Sequence, residues 1–263
     1  MIDAENRGSG GIDRSIFFTV WAYSLSETLF FLVIALLFSF RLAFFLLFLG
    51  IELAFHLIVY LYLKNHRALF TIIKTGERLD KINLANRITL LRITLAPVLL
   101  FLILALKNAK VLPILLPVVA FTFLTDLADG YVSRTRGEIT MIGRILDSAS
   151  DYLLLGIVAV SYYIFAILPH WLFWLIIFRL SVHCVLMLVL YRIRRKLVPE
   201  TTLFGKVSVA STMTLLTVEL LALIFLELKS YVAYIEIITG ILIGLSVIDK
   251  YRYFIAAKNR KTG

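Results

Sequence analysis

Eight apolar stretches, each about as long as a bilayer is thick, constrain this chain more than any other feature. They fall at 15–40, 42–63, 88–106, 111–133, 144–166, 171–191, 207–226 and 231–249. A spanning helix needs about 20 mainly apolar residues. In hydrocarbon every backbone N–H and C=O must find its partner within the protein, which leaves helices or a closed barrel. The runs are continuously apolar rather than alternating, so helices are expected. Composition agrees, since 61% of the residues are hydrophobic against about 45–50% in soluble domains. The expected fold is therefore an all-α integral membrane bundle of about eight transmembrane helices.

The formal charge of +10 invites a nucleic-acid reading, but the placement of the charge argues for a membrane instead. With the N-terminus inside, the inner segments hold 21 of the 27 Lys and Arg residues and the outer segments hold four, Arg41, Lys107, Lys110 and Lys229. That asymmetry is the positive-inside pattern. It puts both termini in the cytoplasm, with a prokaryotic inner membrane as the expected location and no nucleic-acid partner. The N-terminal MIDAENRGSGGIDR has acidic residues and no basic stretch before a short apolar run, so no cleavable signal peptide is expected. The lone Cys184 excludes an intrachain disulfide and a thiolate metal cluster. Between Lys64 and Asn86, Leu69, Ile72, Ile73 and Leu79 interleave with Arg67, Lys74, Arg78 and Lys81. This mixture predicts an interfacial amphipathic helix beneath anionic headgroups.

Four aspartates interrupt the fourth and fifth apolar runs: Asp126, Asp129, Asp147 and Asp151. A carboxylate at membrane depth costs about 2.5–3.5 kcal/mol on insertion scales, so four close together need compensating charge. Asp126 and Asp129 share a helix face, as do Asp147 and Asp151. Arg134, Arg136, Gly137 and Glu138 between the two pairs supply a polar turn. The two helices then form an antiparallel pair with the four carboxylates at one level, a geometry suited to two oxygen-ligated divalent cations. Such ions neutralise a diphosphate and the charge developing on a leaving oxygen, while a carboxylate can take the proton of an attacking hydroxyl. Gly130 allows close backbone approach, and Arg134 can fork onto phosphate oxygens. Two other readings stay open at this point: ion pairing of the aspartates with Arg134, Arg136 and Arg144, and a cation pathway of a transporter.

The run resembles the signature of the CDP-alcohol phosphotransferase family, D-x2-D-G-x2-A-R-x8-G-x3-D-x3-D, with Ser133 in place of the alanine. Upstream, Asn86-Arg-Ile-Thr89-Leu-Leu-Arg92 followed by Pro97 is similar to the start of that family's first helix. The resemblance covers residues 83–263, so residues 1–82 read as an added transmembrane hairpin with an interfacial segment.

It implies a transferase using a CDP-linked lipid such as CDP-diacylglycerol, an alcohol acceptor, and two divalent ions (Mg2+, with Mn2+ as the alternative). Asp126, Asp129 and Asp147 would hold metal, with Asp151 near the second ion and acting as general base. Asn86, Thr89, Gly130, Arg134, Thr140 and Gly143 would form the CDP-lipid site. A homodimer in the bilayer is the implied assembly.

For the acceptor, Arg179 followed by Gly205-Lys206 is similar to the phosphatidylglycerophosphate synthase branch. An anionic acceptor such as glycerol 3-phosphate would meet Arg179, Lys206 and Arg192. Arg179 pairing with Glu219 is the competing reading. Asp147-Ser148-Ala-Ser150-Asp151-Tyr152 departs from that branch's D-P-x-A-D-K. The departure keeps inositol phosphate, serine, an amino alcohol and phosphatidylglycerol open as acceptors. Outside the resemblance, Glu52 and His56 share a face of the second helix; two ligands make a weak metal pair, so they read as internal pairing between the hairpin and the core, as does Glu27, packing against Ser24 or His56.

Overall fold

In a computed structural model of the protein, the backbone is described for residues 2–107, 109–194 and 203–259. The elements are helices throughout. They run α1 Ile2–Leu37, α2 Leu42–Asn65, α3 Leu84–Thr94, α4 Ala96–Leu104, α5 Leu112–Arg136, α6 Met141–Ile164, α7 His170–Arg194, α8 Leu203–Ala222 and α9 Lys229–Asn259. α3 and α4 make one apolar span, Leu84–Leu104. It is interrupted at Leu95 because Pro97 brings no N–H to the second position of α4. Among the described residues six spans are long and apolar enough to cross a membrane, and Leu112–Thr122 and His170–Leu186 are shorter apolar stretches. The protein is an all-α polytopic membrane protein.

The chain divides into two compact units, residues up to Leu153 and residues from Leu154. In the first, α1 and α2 form a hairpin, α2 packs on α4 and α5 packs on α3. Phe31 stacks on Phe48 with ring centroids 3.9 Å apart, and Phe101 of α4 meets Phe48 edge-on at 5.4 Å. Large side chains such as Phe18, Leu36, Leu37 and Ile58 remain exposed on the hairpin. That is the apolar surface a lipid-facing helix pair presents. In the second unit, α9 packs against both α7 and α8, and buried Tyr162 donates to the Leu216 carbonyl at 3.0 Å.

The amphipathic helix expected between Lys64 and Asn86 does not form. Beyond a short 3-10 turn at Arg67–Leu69, the chain runs out and back around Gly76, which has φ +73°. Ile72 N–H donates to the Glu77 carbonyl and Leu79 N–H to that of Phe70, both at 2.9 Å. One edge of this loop then pairs with the α5–α6 connection: Ile73 N–H donates to the Ile139 carbonyl (2.9 Å) and Met141 N–H to that of Thr71 (3.1 Å). The physical reason lies in the apolar residues. Phe70 and Ile82 are buried in a core with Ile16, Leu63 and Ile142, and Leu69 and Leu79 pack against it, while Lys74, Arg78 and Lys81 stay exposed. Burying apolar area in protein outweighs resting it on lipid headgroups.

Candidate active site

The start of α3 is fixed by its cap. Asn83 accepts from the Asn86 N–H at 3.0 Å, and its own amide donates to the Glu138 carbonyl at 3.0 Å. This ties α3 to the connection between α5 and α6. One turn on, the Asn86 amide pairs with the Thr140 hydroxyl (2.9 and 3.0 Å), which also accepts from the Gly143 N–H at 3.0 Å. α3 meets the start of α6 here, and the approach is close enough to need a glycine. A Cβ on Gly143 would collide with Asn86 Oδ1 and stand 2.9 Å from Thr140 Oγ1.

A further turn along α3, Thr89 and Arg92 face the aspartates. Thr89 Oγ1 lies 2.6 Å from Asp129 Oδ2 and 3.1 Å from the Ala85 carbonyl. Arg92 is 1% exposed. One of its terminal nitrogens, Nη2, lies 2.8 Å from Asp147 Oδ1, 3.7 Å from Asp151 Oδ1 and 3.8 Å from Asp129 Oδ2. Three of the four sequence-predicted aspartates therefore fan around one guanidinium. The fourth, Asp126, precedes Asp129 by one turn on α5, and its side chain lies outside the described residues.

Access differs across the site. The Asp129 side chain is 7% exposed, that of Asp151 26% and that of Asp147 52%, so the carboxylates grade from buried to half exposed. The guanidinium of Arg134 folds over Gly130, 3.4 Å from where a Cβ would be. Arg134 itself is exposed.

The donor set fits a hard divalent cation. It consists of carboxylate oxygens with a hydroxyl behind them. Arg92 supplies one positive charge against the three carboxylates around it, which leaves negative charge for bound cations to offset. Arg92 is the residue to which the sequence motif alone assigns no role. It stands in the same short motif as Asn86 and Thr89, and an arginine inside an apolar helix is the available clue. The sequence offers Arg134, Arg136 and Arg144 as ion-pair partners, whereas the ion pairs observed among the described residues of this site run to Arg92.

The residues expected to bind the acceptor belong to the second unit. Arg179 is 6% exposed and donates through Nε to Ser246 Oγ at 3.2 Å and through Nη2 to the Gly205 carbonyl at 3.1 Å. These hydrogen bonds stand where the competing sequence reading puts a pairing with Glu219. They join α7 to α9 and to the start of α8, where Lys206 is exposed. The side chain of Arg192 lies outside the described residues.

Comparison with known proteins bears on the same residues. The profile of a family described as CDP-alcohol phosphatidyltransferase matches residues 82–242. That range contains the four aspartates, Asn86, Thr89 and Arg92, and leaves out the α1–α2 hairpin. A protein of Aquifex aeolicus (strain VF5), CDP-diacylglycerol--glycerol-3-phosphate 3-phosphatidyltransferase, is 30% identical over 173 residues, covering 64% of this chain and 93% of that protein.

Proposed function

We propose that this chain, which belongs to the CDP-alcohol phosphatidyltransferase family, is the transferase that moves a phosphatidyl group from CDP-diacylglycerol to glycerol 3-phosphate and releases CMP. The observation that carries the reading is the convergence of Asp129, Asp147 and Asp151 on Arg92 inside the family's matched range. The acceptor is suggested by the Aquifex relative, whose name gives that transfer.

In this reading Asp126, Asp129, Asp147 and Asp151 hold divalent cations, Mg2+ or Mn2+. When bound, these ions neutralise the donor's diphosphate and the charge growing on the departing CMP. Thr89 fixes Asp129 by a 2.6 Å bond, so that carboxylate needs little reordering to serve as a ligand. Arg92 holds Asp147 and lies near Asp151, which keeps the acids from repelling one another apart. Asp151 accepts the proton of the acceptor hydroxyl. The acceptor oxygen then forms a bond to the phosphorus that carries the diacylglycerol, and the bond from that phosphorus to CMP breaks. Asn86, Thr140 and Gly143 bound the cytidine diphosphate site, and Arg134 beside Gly130 engages phosphate oxygens.

Arg179, Lys206 and Arg192 bind the acceptor's phosphate. The Lys and Arg distribution supports a site facing the cytoplasm of a prokaryotic cell, with both termini on that side. A homodimer in the bilayer completes the proposal.

A second reading keeps the chemistry and changes the alcohol. Tyr152 stands where the glycerol-phosphate branch carries a lysine, and Ser148 where it carries a proline. One experiment decides. Membranes containing the protein receive labelled CDP-diacylglycerol with glycerol 3-phosphate, inositol phosphate, serine, an amino alcohol or phosphatidylglycerol, and the lipid product is identified. Phosphatidylglycerophosphate as the main product supports the first reading. Another phospholipid replaces only the acceptor, and ion flux without CMP release overturns the transferase itself.

A further inference from the structure

We propose that Glu27, Glu52 and His56 form a second metal site, for a divalent first-row transition ion of the Zn2+ class, built into the α1–α2 hairpin. The proposal does not rest on the transferase reading, and all three residues precede the stretch that the family profile matches.

The geometry comes first. One donor atom from each residue lies within 4.8 Å of the other two, and all three side chains are buried. His56 Nδ1 is 3.0 Å from Glu52 Oε1 and 3.0 Å from the Glu52 carbonyl, while Nε2 faces Glu27 Oε2 at 3.8 Å. That last separation is too long for a hydrogen bond. It is within the span of two ligands on one ion at about 2.0–2.2 Å each. An imidazole oriented through one nitrogen by a backbone carbonyl, here that of Glu52, with the other nitrogen directed at a cation, is an arrangement metal-binding histidines adopt.

The second observation is unmet polarity. Both Glu27 carboxylate oxygens and His56 Nε2 are buried without a hydrogen-bond partner. Thr94 of α3 borders Glu27, but its hydroxyl donates to the Leu91 carbonyl at 3.0 Å. Ser24 reaches only Glu52 Oε2, at 3.3 Å. The cluster sits deep. Glu27 is ten residues from the end of α1 at Leu37, and Glu52 ten from the start of α2 at Leu42. Each is about 15 Å along its helix, half of a hydrocarbon core about 30 Å thick. Two acids there need compensation, and the titratable group that faces both is one imidazole. A divalent ion with two carboxylates and a neutral imidazole is a complex of zero net charge. The nitrogen donor favours a transition ion over Mg2+, which prefers oxygen ligands and retained waters. Bound there, the ion would clamp α1 to α2.

The test uses the full chain purified in detergent, stripped with chelator, reloaded with Zn2+ and freed of excess metal by gel filtration. One Zn2+ per chain with imidazole in its X-ray absorption fine structure is expected. The aspartate site contains no histidine among its described residues, so an imidazole signature does not come from it, and His56→Gln separates the hairpin from His66, His170 and His183. Asp129→Asn with Asp147→Asn should leave that signature in place. His56→Gln should remove it, and Glu27→Gln should weaken Zn2+ retention at least tenfold. Each of these two should also abolish the Zn2+-dependent rise in the thermal unfolding midpoint. Retention of no Zn2+ by the wild type, Zn2+ without imidazole, or imidazole-bound Zn2+ persisting in His56→Gln would each overturn the proposal.

Discussion

The first compact unit holds two clusters of buried acids, and they solve the same electrostatic problem differently. Around α3, α5 and α6, three aspartates share a guanidinium supplied by the chain itself, and one of them, Asp147, is half exposed. In the α1–α2 hairpin, two glutamates share an imidazole and all three side chains are sealed, at 3% exposure or less. An open site with a built-in counter-charge suits ligands that arrive and depart. A closed site whose polar atoms lack partners suits an ion that stays. The contrast teaches that burial alone does not mark catalytic chemistry. Access to solvent, together with an arrangement that tolerates changing charge, marks it better.

The sharpest break in the comparison is Asp151→Asn. The change keeps the side chain's shape and removes its capacity to accept a proton, so turnover should fall by at least about 10³-fold, toward the upper range of general-base effects. Nucleotide binding and the thermal midpoint should change little, because Asp151 lies 3.7 Å from Arg92 and leaves two closer or more buried acids in place. CMP release measured alongside CDP binding checks this. Near-normal turnover would take Asp151 out of the base role.

Arg92→Ala comes next and acts on stability as well as on rate. It removes the cation from between three carboxylates, one of them buried, and breaking such a group costs about 3–5 kcal/mol. The thermal midpoint should drop in metal-free protein and recover substantially on adding Mg2+, which supplies the missing charge. Arg92→Lys should keep most of the fold and lose rate, since an ammonium is a compact point charge without the guanidinium's planar fork. A midpoint indifferent to Mg2+ would argue that Arg92 has no share in the cation chemistry.

The two clusters also differ in how much of each is written into local sequence. The aspartates are legible there because helix periodicity brings Asp126 with Asp129, and Asp147 with Asp151, onto single faces. The positions of the helices follow from unbroken apolar runs, although α1 begins well before the expected span, at Ile2. Three features are not legible, each because it depends on tertiary packing. Arg92 is one more charge in an apolar helix until the packing of α3 against α5 brings it among the carboxylates. That Glu27 pairs internally is legible, but that it meets Glu52 and His56 in one sealed cluster depends on the register between α1 and α2, which no local pattern encodes. The stretch after Lys64 carries an alternation that suits a helix on lipid and an extended loop on protein equally well. The edge offered by residues 139–141 decides between them.

The smallest and most discriminating comparison sets one hydroxyl in each cluster against the other. Thr89 donates to Asp129 at 2.6 Å, a short bond to a buried carboxylate, whereas Ser24 reaches Glu52 at 3.3 Å, near the limit of a hydrogen bond. A hydrogen bond to a charged group contributes about 1.5–3 kcal/mol, so Thr89→Val, which keeps the volume and deletes the donor, should slow turnover about ten- to a hundredfold. Ser24→Ala should cost under about 1 kcal/mol, the level of a weak neutral bond. The asymmetry follows from what each acid relies on. Asp129 has Arg92 no nearer than 3.8 Å, so the 2.6 Å bond from Thr89 is what orients it. Glu52 has the His56 ring at 3.0 Å, so its orientation survives the loss of Ser24. Equal effects in the two variants would mean that the hairpin cluster is held as tightly by its hydroxyl as the aspartate site is, and that the imidazole is not what orients Glu52.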